Sequence, residues 1–464
     1  MTTVSSAGIG SGLDVNSIIT QLMAVEKQPL NTLQTKASTI QSTVSAYGAI
    51  KSSVSTLNDL ATKLASATTW AQTTVASSNT SAVTATASGA TPGSYSVQVQ
   101  SLASVQTLAS SVFASSAATP GAGTLNIELG TWGPGQTSFT PKSGATSIDI
   151  TVAATDTLND VRDKINAAGA GVTALIMTDA GGSRLLMRSN TSGADNAFRT
   201  SGVSALSYDT ASKVMTQNQT AANAAATVNG LAVTSSTNTL TNIVDGLTLN
   251  LAAVTTGAVN IDVATDKDSL KKTLTDFAAA YSAVVTLIGT DTKYDAASKT
   301  GGVLQGDSSA VGLQRQLRML AGSVSGASTT FGHLSDTGLQ LQRDGSMTVD
   351  ATKLDNALAN LSELKKVFAN SNFSDPTQDG FGKRFRVMTG AMLGIDGSLT
   401  TRTDGLAKQL QRNQTDQDNM NVRLTGIEAR MRAQYTALDA TMAQLNSSSS
   451  YITQQLASWT ASGK

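Results

Sequence analysis

The chain has 464 residues, 32 basic and 32 acidic side chains, a single histidine and no cysteine. At roughly 150 residues per domain its length suggests about three domains. Without cysteine, and with only His333, disulfides, thiolate chemistry, zinc fingers, iron–sulfur clusters and two-histidine zinc sites are excluded, so no cofactor, metal or enzymatic activity is expected. A net charge of zero offers no field for nucleic acid or an anionic membrane. No run approaches 18 apolar residues, and membrane insertion is not expected. The opening MTTVSSAGIGSGLD lacks the basic and apolar regions of a secretory signal. Yet a charge-poor composition (14% against about 25% in typical domains) suits work outside a cell, which requires another export route.

The first predicted helix spans Val15 to Val25, with Ile18, Ile19, Leu22 and Val25 on one face and Asp14 or Asn16 as cap. Pro29 then opens a second helix, where a proline is tolerated in the first turn. Its apolar residues Leu30, Leu33, Ala37, Ile40, Val44, Tyr47 and Val54 step by threes and fours, continuing through Leu57 and Leu64 as a heptad seam. The middle of the chain alternates with period two at Tyr95–Val99, Leu125–Leu129, Ile148–Val152, Leu247–Leu251 and Val259–Val263. Asn229-Gly230 reads as a hairpin turn, and Pro92-Gly93, Pro120-Gly121 and Pro134-Gly135 as loops. One short helix, Leu158 to Ala167, interrupts the strands, with Thr155 or Asp156 as its cap. Roughly 71–265 is therefore a strand-rich block of one or two domains.

Helical periodicity returns at Leu270, Leu274, Phe277, Tyr281, Val284 and Leu287, then at Leu313–Leu320 and Leu354–Phe368, with a hairpin at Leu339–Val349. A last seam runs through Leu406, Leu410, Met420, Leu424, Ile427 and Met431, with polar Asn413 and Gln417 on it. After one four-plus-four hop it continues through Tyr435, Leu438, Met442, Leu445, Ile452, Leu456 and Trp459. With no proline after Pro376, a helix of about 45 residues from Thr401 to Leu445 is predicted. Such narrow stripes are only marginally stable alone, so the terminal helices need each other or other chains. The two ends can meet only if the strand block is an insertion.

Other motifs carry less. GIGSGLD at 8–14 follows no strand and lacks the distal acid of a dinucleotide site. GDSSA at 306–310 lacks the final glycine of a nucleophile elbow; Asp307 or Ser308 capping a helix near Ala310 is the simpler reading, with His333 in a loop. Lys383, Arg384 and Arg386 interleave with Phe381 and Phe385, and are read as a solvated helix face over core phenylalanines.

SSAGIGSGLDVNSIITQLMAVEKQPL at the start, MAQLNSSSSYITQQLASW at the end and GSMTVDATKLDNAL between them resemble the flagellar filament cap family, the hook-associated protein 2 family. TLNDVRDKINAAGAGVTALI resembles a repeat shared with flagellin-like proteins, and GVLQGDSSAVGLQRQLRML the family's helical domain. The resemblance implies an α+β multidomain chain: coiled-coil leg segments at 1–41 and 401–464, a helical leg domain at 42–70 and 268–400, a head domain at 71–112 and 228–267, and an inserted outer head domain at 113–227. It implies a structural cap at the distal tip of a bacterial flagellum that retains exported flagellin and promotes its polymerisation. Copies would form a homo-oligomeric ring, five-fold in the best-known members. Implied partners are flagellin, the hook–filament junction protein, an export chaperone and the type III export apparatus, which would supply the missing export route and make the protein secreted. The candidate assembly residues are Leu22, Leu30, Leu33, Ile40, Val44, Leu406, Leu410, Leu424, Ile427, Met431, Leu438, Met442, Leu445, Ile452 and Leu456. Rival readings are a filament or hook-junction subunit, which shares terminal helices, and a surface adhesin using the Ser/Thr-rich strands.

Overall fold

The computed structural model describes residues 14–462, so the GIGSGLD segment lies outside it apart from Asp14. The chain divides into two compact units, one formed by residues up to Thr69 together with those from Asp268 onward, the other by Trp70–Lys267. Helix α1 (Val15–Glu26) is capped by Asp14, whose Oδ1 accepts the Ser17 amide at 3.0 Å. Its buried face is Val15, Ile19 and Met23. That corrects the expected face, since Leu22 is 40% and Val25 62% exposed. Residues four apart stack on one side of a helix, and Met23 completes that row where Leu22 points about a quarter-turn away. Helix α2 (Gln28–Ala65) carries Pro29 in its first turn and buries Ile50, Val54, Leu57, Ala61 and Leu64 along its second half.

The strand-rich unit contains two cores. In the first, a five-stranded antiparallel sheet (order Thr73–Ser77, Val259–Thr265, Gly93–Ser101, Ala224–Val228, Leu231–Ser235) shares a core with a three-stranded sheet (Thr239–Val244, Leu247–Leu251, Val83–Ala87). The Asn229-Gly230 turn joins two of these strands with φ of 49° and 81°, the left-handed pair such a tight hairpin requires. In the second, strand Gly123–Trp132 is flanked by Ala197–Ser201, Phe139–Pro141 and Ile148–Val152, and another sheet runs Thr216–Gln219, Thr107–Ala109, Gly182–Ser189, Val172–Asp179. Helix α3 (Leu158–Ala168) buries Leu158, Val161 and Ile165 in this core. Its cap is Thr157, in a reciprocal capping box with Asp160, rather than Thr155 or Asp156. Asp156 instead accepts the Ala153 amide and pairs with Lys164. The Asn166 side chain donates to the Ala174 carbonyl (2.9 Å) and accepts its amide (2.7 Å), standing in for a neighbouring strand at that sheet edge.

The chain returns to the helical unit through α4 (Lys267–Thr292), followed by α5 (Ser308–Ala321), α6 (Ala351–Ala359), α7 (Leu361–Ala369), α8 (Phe381–Leu393) and α9 (Ser398–Ser462). Helix α4 is long and apolar enough to cross a membrane by length and composition only, a test that a buried core helix also passes. Its Leu270, Leu274, Phe277, Tyr281, Val284 and Ile288 are instead buried as a core stripe. Around it the aromatic rings pack edge to face: Phe277 lies 5.2 Å and Tyr281 5.9 Å from Phe385 between centroids. Helix α8 crosses α2 closely at Gly382, where a Cβ would meet the Ala65 nitrogen at 2.9 Å. The hairpin Leu339–Leu341/Met347–Val349 forms, and a second, at Tyr294–Asp295/Thr300–Gly301, was not foreseen. Helix α9 runs 65 residues, about 100 Å at 1.5 Å per residue, well past the expected end at Leu445. Neither glycine nor proline occurs between Gly426 and Ser462 to stop it.

One carboxylate in this unit makes an acid-sensitive tie. Glu363 on α7 accepts from Lys366 Nζ (2.6 Å), Ser328 Oγ (2.7 Å) and the Thr329 amide (3.0 Å). These bonds, the lysine first, lower its pKa from 4.5 to about 2. A folded-state value below the unfolded one stabilises the fold above the unfolded pKa, and the contribution disappears as pH falls from 4.5 towards 2. Glu363→Gln should therefore melt earlier than the parent at neutral pH, and the difference should shrink on acidification. Parallel melting curves across that range would show that Glu363 is not the tie.

Candidate functional site

The residues that might suggest chemistry serve structure. Asp307 caps α5, accepting the amides of Ser309 (2.9 Å) and Ala310 (3.2 Å). His333 precedes a 3₁₀ turn with half its side chain exposed, its Nδ1 3.7 Å from the Asp336 carboxylate. Lys383 bonds Asp379 (2.8 Å), while Arg384 lies over the Phe381 ring at 5.4 Å and donates to the Val324 carbonyl. Phe381 and Phe385 are fully buried. The basic–aromatic cluster thus stitches α8 to its own unit.

What remains is the seam of the terminal helices. Val15, Ile19 and Met23 of α1, Leu30 of α2 and Leu424 of α9 form one buried cluster, with Met420, Ile427, Met431 and Tyr435 packed against it. Arg432 Nη1 donates to Asn16 Oδ1 at 3.3 Å across the same contact. Further along α2, Ile40 is buried, as is Leu406 on α9; Leu33, Val44 and Leu410 are half-buried. Between these apolar layers sits Asn413, 4% exposed, whose Oδ1 accepts from Gln417 Nε2 at 2.6 Å. A buried amide at a seam position lowers stability but fixes register.

A polar node anchors the seam to the rest of the helical unit, and the sequence did not reveal it. Tyr47 of α2 donates its hydroxyl to Asp307 Oδ1 (2.8 Å), and Arg402 of α9 donates Nη2 to Asp307 Oδ2 (2.7 Å). The guanidinium also lies 5.7 Å from the Tyr47 ring centroid. Burial first, then the carboxylate bond, push the Tyr47 hydroxyl up to about 12. Burial of Asp307 opposes its ionisation, but the bonds from Arg402, Tyr47 and the Ala310 amide outweigh it and hold its pKa below the usual carboxylate value. One side chain thereby joins α2, α5 and α9. The only trace in the sequence was Asp307 as a cap; its two other partners lie 260 and 95 residues away.

Beyond Tyr435 the seam continues with no packed cluster formed on it among the described residues. Leu438 is 47%, Leu445 58%, Ile452 57% and Leu456 57% exposed, with Met442 half-buried between them. The structure therefore brings Leu30, Leu424, Ile427 and Met431 together, places Leu33, Ile40, Val44, Leu406 and Leu410 on the adjoining stretch, leaves Leu22 outside, and displays Leu438, Leu445, Ile452 and Leu456 to solvent, with Met442 half-buried. Val15, Ile19 and Met23 belong to the seam and were overlooked as candidates.

Residues 11–106 match the family described as flagellar hook-associated protein 2 N-terminus, and residues 221–447 its C-terminus. Residues 138–191, which include α3, match the flagellin hook IN motif. The chain is 32% identical to flagellar hook-associated protein 2 of Escherichia coli strain K12, with 98% of each covered. It is 30% identical to the A-type protein of Pseudomonas aeruginosa, with 97% of each covered. A crystal structure of the flagellar cap protein from Escherichia coli superposes with a TM-score of 0.61 at 30% identity, over 78% of this chain and 99% of that one. The sequence agrees along nearly the whole length and the fold over 78% of it: this α+β multidomain chain belongs to the flagellar hook-associated protein 2 family.

Proposed function

We propose that the protein is a structural cap subunit at the distal end of the bacterial flagellar filament, retaining exported flagellin and promoting its polymerisation. The observation that carries this reading is the seam of α9, which among the described residues is covered by the chain's own N-terminal helices as far as Tyr435 and exposed at Leu438, Leu445, Ile452 and Leu456. A long helix with an unpaired apolar stripe is a device for joining other chains. Function is then conformational: narrow stripes exchange partners and no bond is made or broken. The protein acts as a homo-oligomeric ring, meets flagellin beneath it and the hook–filament junction protein before filament growth, and is secreted unfolded with an export chaperone through the flagellar type III apparatus. The assembly residues are those of the two terminal seams. A division of the chain at 41, 70, 112, 227, 267 and 400 belongs to the same proposal; two separate cores inside Trp70–Lys267 support two head domains, with Leu108 packing in the outer core and Ala224 and Ala226 in the inner one.

Cells deleted for their own cap protein should regain filaments, and stop shedding flagellin, when they express this chain. Class averages of the pure protein should show closed rings. Open-ended polymers would instead make it a filament or junction subunit.

A further inference from the structure

Sulfur in this chain is all thioether: twelve methionines and no cysteine. On α9 three of the methionines, Met420, Met431 and Met442, stand eleven residues apart. Eleven residues make three turns and about 20°, so the three share one line of the helix at intervals of about 16 Å. Met420 and Met431 are half-buried against the cluster of α1, α2 and α9, and Met23 reaches the same cluster from α1. Methionine therefore supplies three of the nine residues in the contact that joins α1 to α9. A globular core seals its thioethers. A seam between single helices leaves each at its border, within reach of a small solute.

We propose that Met420 and Met431 are oxidation sites through which peroxide opens the contact between α1 and α9. Hydrogen peroxide transfers one oxygen to the sulfur: the O–O bond breaks, an S–O bond forms, the thioether loses two electrons and the peroxide leaves as water. The product is a polar sulfoxide on a side chain that the seam packs as apolar. Its oxygen must find a donor or return to water, and the side chains of Val15, Ile19 and Leu424 offer none. Helix α1 has little else to hold it, since among the described residues its one polar contact with α9 is Asn16 with Arg432. Met23, 5% exposed, is shielded until α1 lifts and then becomes a third site. Met442 lies past the cluster, so its oxidation opens nothing there. With no thiol in the chain to react first, the thioethers take the oxidant directly. The proposal concerns packing within one chain and stands apart from the capping reading.

Full-length protein is treated with hydrogen peroxide, the added oxygens are located by peptide mass, and tryptic cleavage after Lys27, where α1 meets α2, reports the opening. Met177 and Met319 are exposed and serve as the internal control, since their oxidation should not change cleavage. Oxidation of Met420 and Met431 should raise the cleavage rate at Lys27 at least about tenfold, the factor expected for an unpartnered polar group in an apolar layer. Methionine sulfoxide reductases should reverse the effect. A variant with Met420→Leu and Met431→Leu keeps the seam's volume, so it should be cleaved like the parent before peroxide and lose the response to it. A variant with Met177→Leu and Met319→Leu should respond as the parent does. Met420 and Met431 left unoxidised while Met177 and Met319 are converted would overturn the proposal, as would their oxidation with no change at Lys27. A response that survives Met420→Leu and Met431→Leu would overturn it too, placing the sensitive group elsewhere.

Discussion

Cells carrying Leu424→Asp should release flagellin monomer into the medium, grow few or no filaments and swim poorly, although the variant is made and exported. Leu424 is 4% exposed, at the centre of the cluster that joins α9 to α1 and α2. Aspartate removes roughly 1.5–3 kcal/mol of apolar burial and forces a carboxylate to be desolvated or the seam to part. The strand-rich unit draws its cores from other residues and should keep its own unfolding transition. The outward control needs choosing with care. Gln414 donates to Asp418 at 3.2 Å, so aspartate there would set two carboxylates one turn apart. Ala433 is exposed and has no acidic neighbour three or four residues away, which makes Ala433→Asp the better comparison. Normal filaments from an exported Leu424→Asp protein would mean that this seam does not seat the cap.

Asp307→Ala should lower the stability of the helical unit by roughly 2–4 kcal/mol, the sum of a lost helix cap and a lost charge-assisted hydrogen bond. It strips the cap from α5 and leaves Tyr47 and Arg402 facing each other without their acceptor. Asp307→Asn keeps an oxygen for the α5 amides but loses the charge opposite Arg402, and should fall between the two proteins. Denaturant titration with a probe in the helical unit distinguishes this from general damage, because the Trp70–Lys267 transition should not move. Because the Asp307 carboxyl titrates below its unfolded value, its contribution is present above that value and is lost as pH falls through the folded one. The gap between Asp307→Ala and the parent should therefore narrow in acid. Equal stability of all three proteins at neutral pH would show that the node is incidental.

Much of this architecture was legible because period is a local property. The seam of α2, the alternation at Gly93–Ser101 and Val259–Thr265 and the Asn229-Gly230 turn each express a rule that operates within a few residues. The same holds for Asp14 and Asp307 as caps, since a cap needs only amides two or three residues on. The absence of cysteine and the isolation of His333 likewise bear directly on chemistry, before any folding is considered.

Tertiary structure decided whatever depends on which surface meets which. The stripe of α1 could be drawn through Leu22 or through Met23, and only contact with α9 selects Val15, Ile19 and Met23. The reach of α9 to Ser462 was underestimated because a stripe does not announce where its cover stops. The apolar window of α4 suits a membrane or a core equally well until Phe368 and Phe385 close around it. Asp307 looks like an ordinary cap in sequence, yet it becomes the junction of three helices because folding brings Tyr47 and Arg402 to its two oxygens. Local spacing determines how a segment folds; long-range packing, which no window of sequence contains, determines which of its faces is left to work.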